Sequence, residues 1–141
     1  MEMGKERKDL SEMGVADSGK VLVMFHAASR DGMDLEEEFV DSYVYLLDHE
    51  QILKFAYPFH FTPLPYSPLL RTDLKALVQG EYLSKGSRIY ISPLGIKWVE
   101  QEISAITNAE DILMTISRRL KVFTAWNWSQ VFQAVYAKLV R

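Results

Sequence analysis

The sequence predicts a mostly helical α+β fold with a single β-hairpin, and three features carry that expectation. Apolar residues recur at three- and four-residue spacing in six separate segments. Those segments are bounded by glycine, proline or residues that cap helices. One stretch, Tyr82 to Ile91, instead alternates around a glycine-containing turn. With 141 residues, 48% hydrophobic and 25% charged, the chain fits one domain with a real core.

Residues 1–17 have little apolar content and are expected to form a flexible N-terminal arm. The first helix is expected to start at Asp17 or Ser18, either of which can accept a backbone N–H as an N-cap. Its inward stripe is Leu22, Phe25 and Ala28/Ser29, and Gly32 ends it. Met33-Asp34 opens the second helix, with Glu37 three residues after Asp34 in capping-box position. Leu35, Phe39, Tyr43, Leu46 and Leu47 mark its buried face, and Glu36, Glu37 and Glu38 complement its positive end.

Four prolines between Pro58 and Pro68 then forbid a continuous helix. Phe59 and Phe61 alternate with His60 and Thr62, the pattern of a short strand. Ser67-Pro68 restarts a helix, because Ser67 caps it and a proline at the first position gives up no needed donor. Leu70, Leu74, Leu77 and Val78 face inward, and Gly80 is expected to supply a left-handed stop. Tyr82-Leu83 and Arg88–Ile91 read as strands joined by Ser84-Lys85-Gly86-Ser87, with Ile89 and Ile91 on one side. Ser92-Pro93 repeats the capping device and begins a fourth helix, with Ile96, Val99, Ile103 and Ile106 inward. Two helices follow: one capped by Asn108 with Ile112, Leu113, Ile116 and Leu120, the other capped by Asn127 with Val131, Phe132, Val135 and Leu139.

Several function classes find no support. The chain has no cysteine, hence no disulfide, thiolate nucleophile or Cys-based zinc site. His26, His49 and His60 lack metal-ligand spacing, and consecutive Glu36 to Glu38 point in different directions on a helix. No phosphate-cradling glycine loop or nucleophile elbow occurs, and Ser67 and Ser92 are explained as caps. An enzyme, a cofactor and a bound metal are therefore not expected. No apolar run approaches the roughly 20 residues of a membrane helix. The opening segment lacks the apolar core of an export signal, so a cytoplasmic location is expected.

The formal charge of −3 is unevenly distributed. Asp31 to Glu50 holds eight acidic residues and no Lys or Arg. Ile112 to Arg141 holds Arg118, Arg119, Lys121, Lys138 and Arg141 and no acidic side chain. One reading is two solvated faces of opposite sign. The other is that the basic end meets an acidic partner, a polyanion or the acidic helix of another copy.

The order of three helices, a two-stranded hairpin and a helix over residues 18–106 is that of a winged helix-turn-helix. Tyr90-Ile91-Ser92-Pro93-Leu94-Gly95 resembles the segment that leaves the wing of many small transcription regulators. The stretches FVDSYVYLLDHEQIL and FHFTPLPYSPLLRTDLKALVQGEYL are similar to those of small Panacea-type, antitoxin-associated winged-helix proteins. The resemblance covers about 85 residues and implies regulation or antitoxin-like partner binding, with residues 107–141 as a C-terminal helical extension.

For a DNA-binding regulator of this type, the third helix enters the major groove and the wing lies on the backbone. Arg71, Thr72, Lys75 and Gln79 are then the outward residues of that helix, with Lys85 and Arg88 on the wing. These types suit the task, since Arg and Gln read base edges and Lys and Thr hold phosphates. The competing account is an ordinary solvated helix face. Glu36, Glu37 and Glu38 count against DNA, because they would repel phosphates. The alternative function is a protein-interaction module, antitoxin-like or an assembly partner, that binds no DNA. Trp126 and Trp128 are two positions apart and cannot share one helical face. One is expected in the core and the other at an interface, so Trp126, Trp128, Phe132 and Val135 are the candidate homodimer contacts.

Overall fold

A computed structural model describes residues 16–139. The elements run α1 (Asp17–Arg30), α2 (Glu37–His49), β1 (His60–Phe61), β2 (Pro65–Tyr66), α3 (Pro68–Gln79), β3 (Leu83–Lys85), β4 (Ile89–Ile91), α4 (Pro93–Ile103), α5 (Ala109–Thr124) and α6 (Trp128–Leu139). The protein is thus mostly helical, with two small antiparallel strand pairs. Most of the N-terminal arm, residues 1–15, lies outside the described residues, as do residues 140–141.

Helix α1 is the axis of the core. Every residue from Gly19 to Ala28 is buried, so the expected one-sided stripe is replaced by burial all round. The cause is crowding from several directions: α5, α4, α3 and β4 all pack against it. Even Lys20 is enclosed, its ammonium donating to the Lys54 carbonyl at 2.8 Å. The helix begins at Asp17, as expected, but the cap position is Ala16 and neither Asp17 nor Ser18 caps it. Asp17 accepts the Ala56 N–H at 3.0 Å instead, tying the helix to the loop after α2. Gly32, at φ +72°, takes the left-handed position that ends α1.

Helix α2 starts two residues later than the Asp34 capping box requires. Leu35 explains the shift: its N–H and C=O both pair with Ile89, at 3.0 and 2.8 Å. A residue so engaged is extended and cannot open a helix. The predicted buried face of α2 is found, with Leu35, Phe39, Tyr43, Leu46 and Leu47 all in the core.

The proline-rich stretch forms a short strand that pairs back on itself, His60 opposite Tyr66 and Phe61 opposite Pro65. The two Ser-Pro starts behave as expected. Ser67 Oγ accepts the Leu70 N–H at 3.2 Å, and Ser92 Oγ accepts the Gly95 N–H at 3.1 Å. Leu70, Leu74 and Leu77 are buried and Val78 is half-buried. Gly80 does not provide the left-handed stop. Its φ is −81°, and Glu81 takes +67° instead. The Tyr82 N–H then reaches back to the Leu77 carbonyl at 2.9 Å, closing the helix end. Gly80 stays small because the Tyr82 ring lies 3.2 Å from where a Cβ would stand.

The hairpin pairs Leu83 with Ile91 and Lys85 with Ile89, so its turn is Gly86-Ser87-Arg88, beginning two residues and ending one residue later than the expected Ser84-Lys85-Gly86-Ser87. Ile89 and Ile91 face the core and Tyr90 faces water. Gly95 anchors the hairpin to α4: an added Cβ would stand 2.3 Å from the Tyr82 carbonyl and 2.6 Å from Ile91 Cγ1.

Asn108 precedes α5 but makes no side-chain cap, and its Oδ1 is buried with no hydrogen-bond partner among the described residues. Asn127 does cap α6, its Oδ1 accepting the Gln130 N–H while Gln130 Oε1 accepts the Asn127 N–H, both at 2.9 Å. The C-terminal helices share the one core. Leu113, Ile116, Leu120 and Phe123 of α5 and Val131 and Val135 of α6 join the cluster centred on α1. Leu139, expected inward, is exposed. No helix among the described residues is long and apolar enough to cross a membrane.

Candidate functional site

The site begins from one buried carboxylate. Asp41 sits in the apolar run of α2 and is only 1% exposed. Its Oδ2 accepts the Ser67 N–H at 2.9 Å, which fixes the residue that caps α3. Its Oδ1 pairs with Arg71 Nη2 one turn into the same helix. Burial pushes the Asp41 carboxyl upward from its ordinary value, against the pull of the Ser67 N–H and the Arg71 guanidinium. A buried carboxylate alone would be costly, so the guanidinium is required where it stands.

Arg71 is therefore not an outward residue, contrary to expectation. It reaches across to α2, where it also donates to the Glu37 carbonyl at 3.0 Å and meets the Glu37 carboxylate at 3.3 Å. Lys85, from the hairpin, meets the same carboxylate at 3.0 Å. Arg88 pairs with the neighbouring Glu36 at 3.2 Å. The start of α2 thus threads its carboxylates between α3 and the hairpin.

Thr72, Lys75 and Gln79 are exposed on α3, as expected. The Thr72 hydroxyl is turned to its own helix, donating to the Pro68 carbonyl at 3.0 Å. No ion pair is found for Lys75 among the described residues. Lys75 and Gln79 border a groove of about 330 Å³ between α3 and the hairpin. Leu74, Val78 and Ile89 form its floor, and Glu37, Arg71 and Lys85 complete its rim. The sequence brings these cations together because the hairpin follows α3 directly and folds back beside it.

The wider charge asymmetry resolves in the same way. Arg119 meets Glu50 at 2.9 Å, Lys138 meets Glu50 at 3.9 Å and Lys121 meets Asp31 at 3.9 Å. The basic C-terminal part and the acidic second segment are partners within one chain. Neither is left whole for another molecule.

No family model, no curated protein and no solved structure matches the chain. Its function must be argued from these side chains.

The candidate interface residues separate cleanly. Val135 is 1% exposed and belongs to the core, so it offers no surface to a partner. Trp126 is half-buried, its ring 5.3 Å from that of Phe123. Trp128, Phe132 and Tyr136 form a stacked ladder along the outside of α6, with centroids 5.4 and 5.7 Å apart. Four-residue spacing places them on one face. Trp128 and Tyr136 are 43% and 53% exposed.

Sequence reasoning missed Asp41 and the pairing of Glu36 and Glu37 with cations of α3 and the hairpin. One signal was present: Asp41-Ser42 interrupts the apolar run Phe39 to Leu47, and a polar pair there must find partners inside.

Proposed function

We propose that the chain is a DNA-binding regulator on a winged-helix scaffold, with α3 and the β3–β4 hairpin as its contact surface. The observation that carries this is the convergence of Arg71, Lys75 and Lys85 on one groove from two adjacent elements, with Arg88 in the turn of the same hairpin. The order of elements agrees: a helix, an extended residue at Leu35, two helices and a hairpin whose strand β4 pairs with that residue. In such an arrangement the hairpin lies on the backbone while α3 presents Thr72, Lys75 and Gln79 to a groove of the duplex. The test is fluorescence anisotropy with a mixed-sequence duplex at low and moderate salt. Binding that weakens steeply with salt and is lost in Lys75→Glu is expected. No binding at low salt by the folded protein rejects the reading.

A second reading, a protein-interaction module with a homodimer or a heterologous partner, is favoured by the uncharged ladder on α6. The stretch Trp128 to Ala137 carries no Asp, Glu, Lys, Arg or His. Exposed stacked rings without surrounding charge are the composition of an interface core.

A further inference from the structure

We propose that the gap between Arg71 and Lys85 is a phosphate site, which the Glu37 carboxylate fills while no ligand is bound. The inference rests on the DNA-binding reading above and adds how that surface takes a phosphodiester. Three observations lead to it.

The two cations come from different elements, α3 and β3, and converge on one anionic group at 3.3 and 3.0 Å. Both are ion-pair distances but longer than the roughly 2.7–2.9 Å of a close charge-assisted bond, so the carboxylate grips neither cation tightly. A carboxylate with two such partners shares with a phosphodiester a single negative charge and two acceptor oxygens.

The guanidinium does not depend on that carboxylate for its position. Arg71 is held by the buried Asp41 and by the main-chain oxygen of Glu37. Removing the Glu37 charge therefore leaves a formed site. Lys85 keeps the flexible, exposed stem that lets an ammonium follow a new anion.

The exchange is open to solvent. The side chains of Glu37 and Lys85 are 42% and 48% exposed, and pairs of that kind are weak and screened by salt. Lys75 borders the same groove with no ion pair found among the described residues, so it is a cation that an incoming anion can engage directly. A duplex backbone supplies adjacent phosphates, which suits Lys75 and Lys85 on facing walls better than a single free anion.

The test measures duplex affinity against salt for the wild-type protein, Glu37→Gln and Lys85→Gln, with thermal melts to show that each is folded. Glu37→Gln is expected to bind about tenfold more tightly at low salt, because the competing charge is gone. Lys85→Gln is expected to bind more weakly, with a log–log salt slope shallower by about one. Equal affinities for wild type and Glu37→Gln, both binding, overturn the site and leave the DNA reading intact. Absence of binding by all three folded proteins rejects the DNA reading itself. Inorganic phosphate at matched ionic strength should leave the difference in place. If it erases the difference, the gap binds free anions and the duplex assignment is wrong. Should Glu37→Gln fail to fold, Glu37→Ala makes the same measurement.

Discussion

The α3–hairpin face and the outer face of α6 are opposites. The first is dense in charge, yet Arg71, Lys85 and Arg88 already hold carboxylates from α2. The second carries no charge from Trp128 to Ala137, and its rings stack on one another with Trp128 and Tyr136 exposed. A tally of basic residues would rank the first as the more available surface. Burial and pairing reverse the ranking for everything but Lys75, Thr72 and Gln79. What a surface offers is set by the interactions its side chains have left, and that follows from three-dimensional neighbours.

Breaking the buried end of the charged face should have the largest effect. Asp41→Asn removes the buried counter-charge of Arg71, which keeps Glu37 and partial exposure, and is expected to cost about 1–3 kcal/mol in urea unfolding. A cost below about 1 kcal/mol would show that water reaches the pair and that the contrast between buried and exposed ion pairs is false here. Next in size is the double substitution Trp128→Ser, Tyr136→Ser on α6. If the ladder meets a second copy, light scattering at tens of micromolar should show association in the wild type. The variant should associate at least about tenfold more weakly, a loss of roughly 1.4 kcal/mol. A wild-type protein that stays monomeric at those concentrations removes the homodimer. The smallest effect belongs to Arg88→Ala, which opens an exposed pair with Glu36. Unfolding free energy should move by about 0.5 kcal/mol or less.

How much of this was legible in the sequence depends on the range of the interaction. The Ser67-Pro68 and Ser92-Pro93 starts are written locally, because a cap reaches only three residues ahead, and both formed as expected. The alternation of Ile89, Tyr90 and Ile91 was equally local. Leu35 was misread because its partner, Ile89, lies far along the chain, and that pairing moved the start of α2. The stop of α3 was misassigned by one residue. Glycine is the usual left-handed residue, but Tyr82 packs on Gly80 and passes that conformation to Glu81. All-round burial of α1 leaves a weak stripe, since a central helix has no solvent face to mark. At the candidate site, Lys75 and Gln79 were found by helical spacing alone. The inward turn of Arg71 could not be, because it answers a carboxylate on another helix.

Gly95 has a mechanical consequence. With 2.3 Å between its missing methyl and the Tyr82 carbonyl, the first turn of α4 is seated directly on the base of the hairpin. Ser92 bolts the same joint, donating its hydroxyl to the Glu81 and Tyr82 carbonyls at 2.6 and 3.0 Å. One wall of the groove is thus braced from behind, while Lys85 at its rim stays supple. The Lys85 side chain can therefore change position without disturbing the joint between the hairpin and α4.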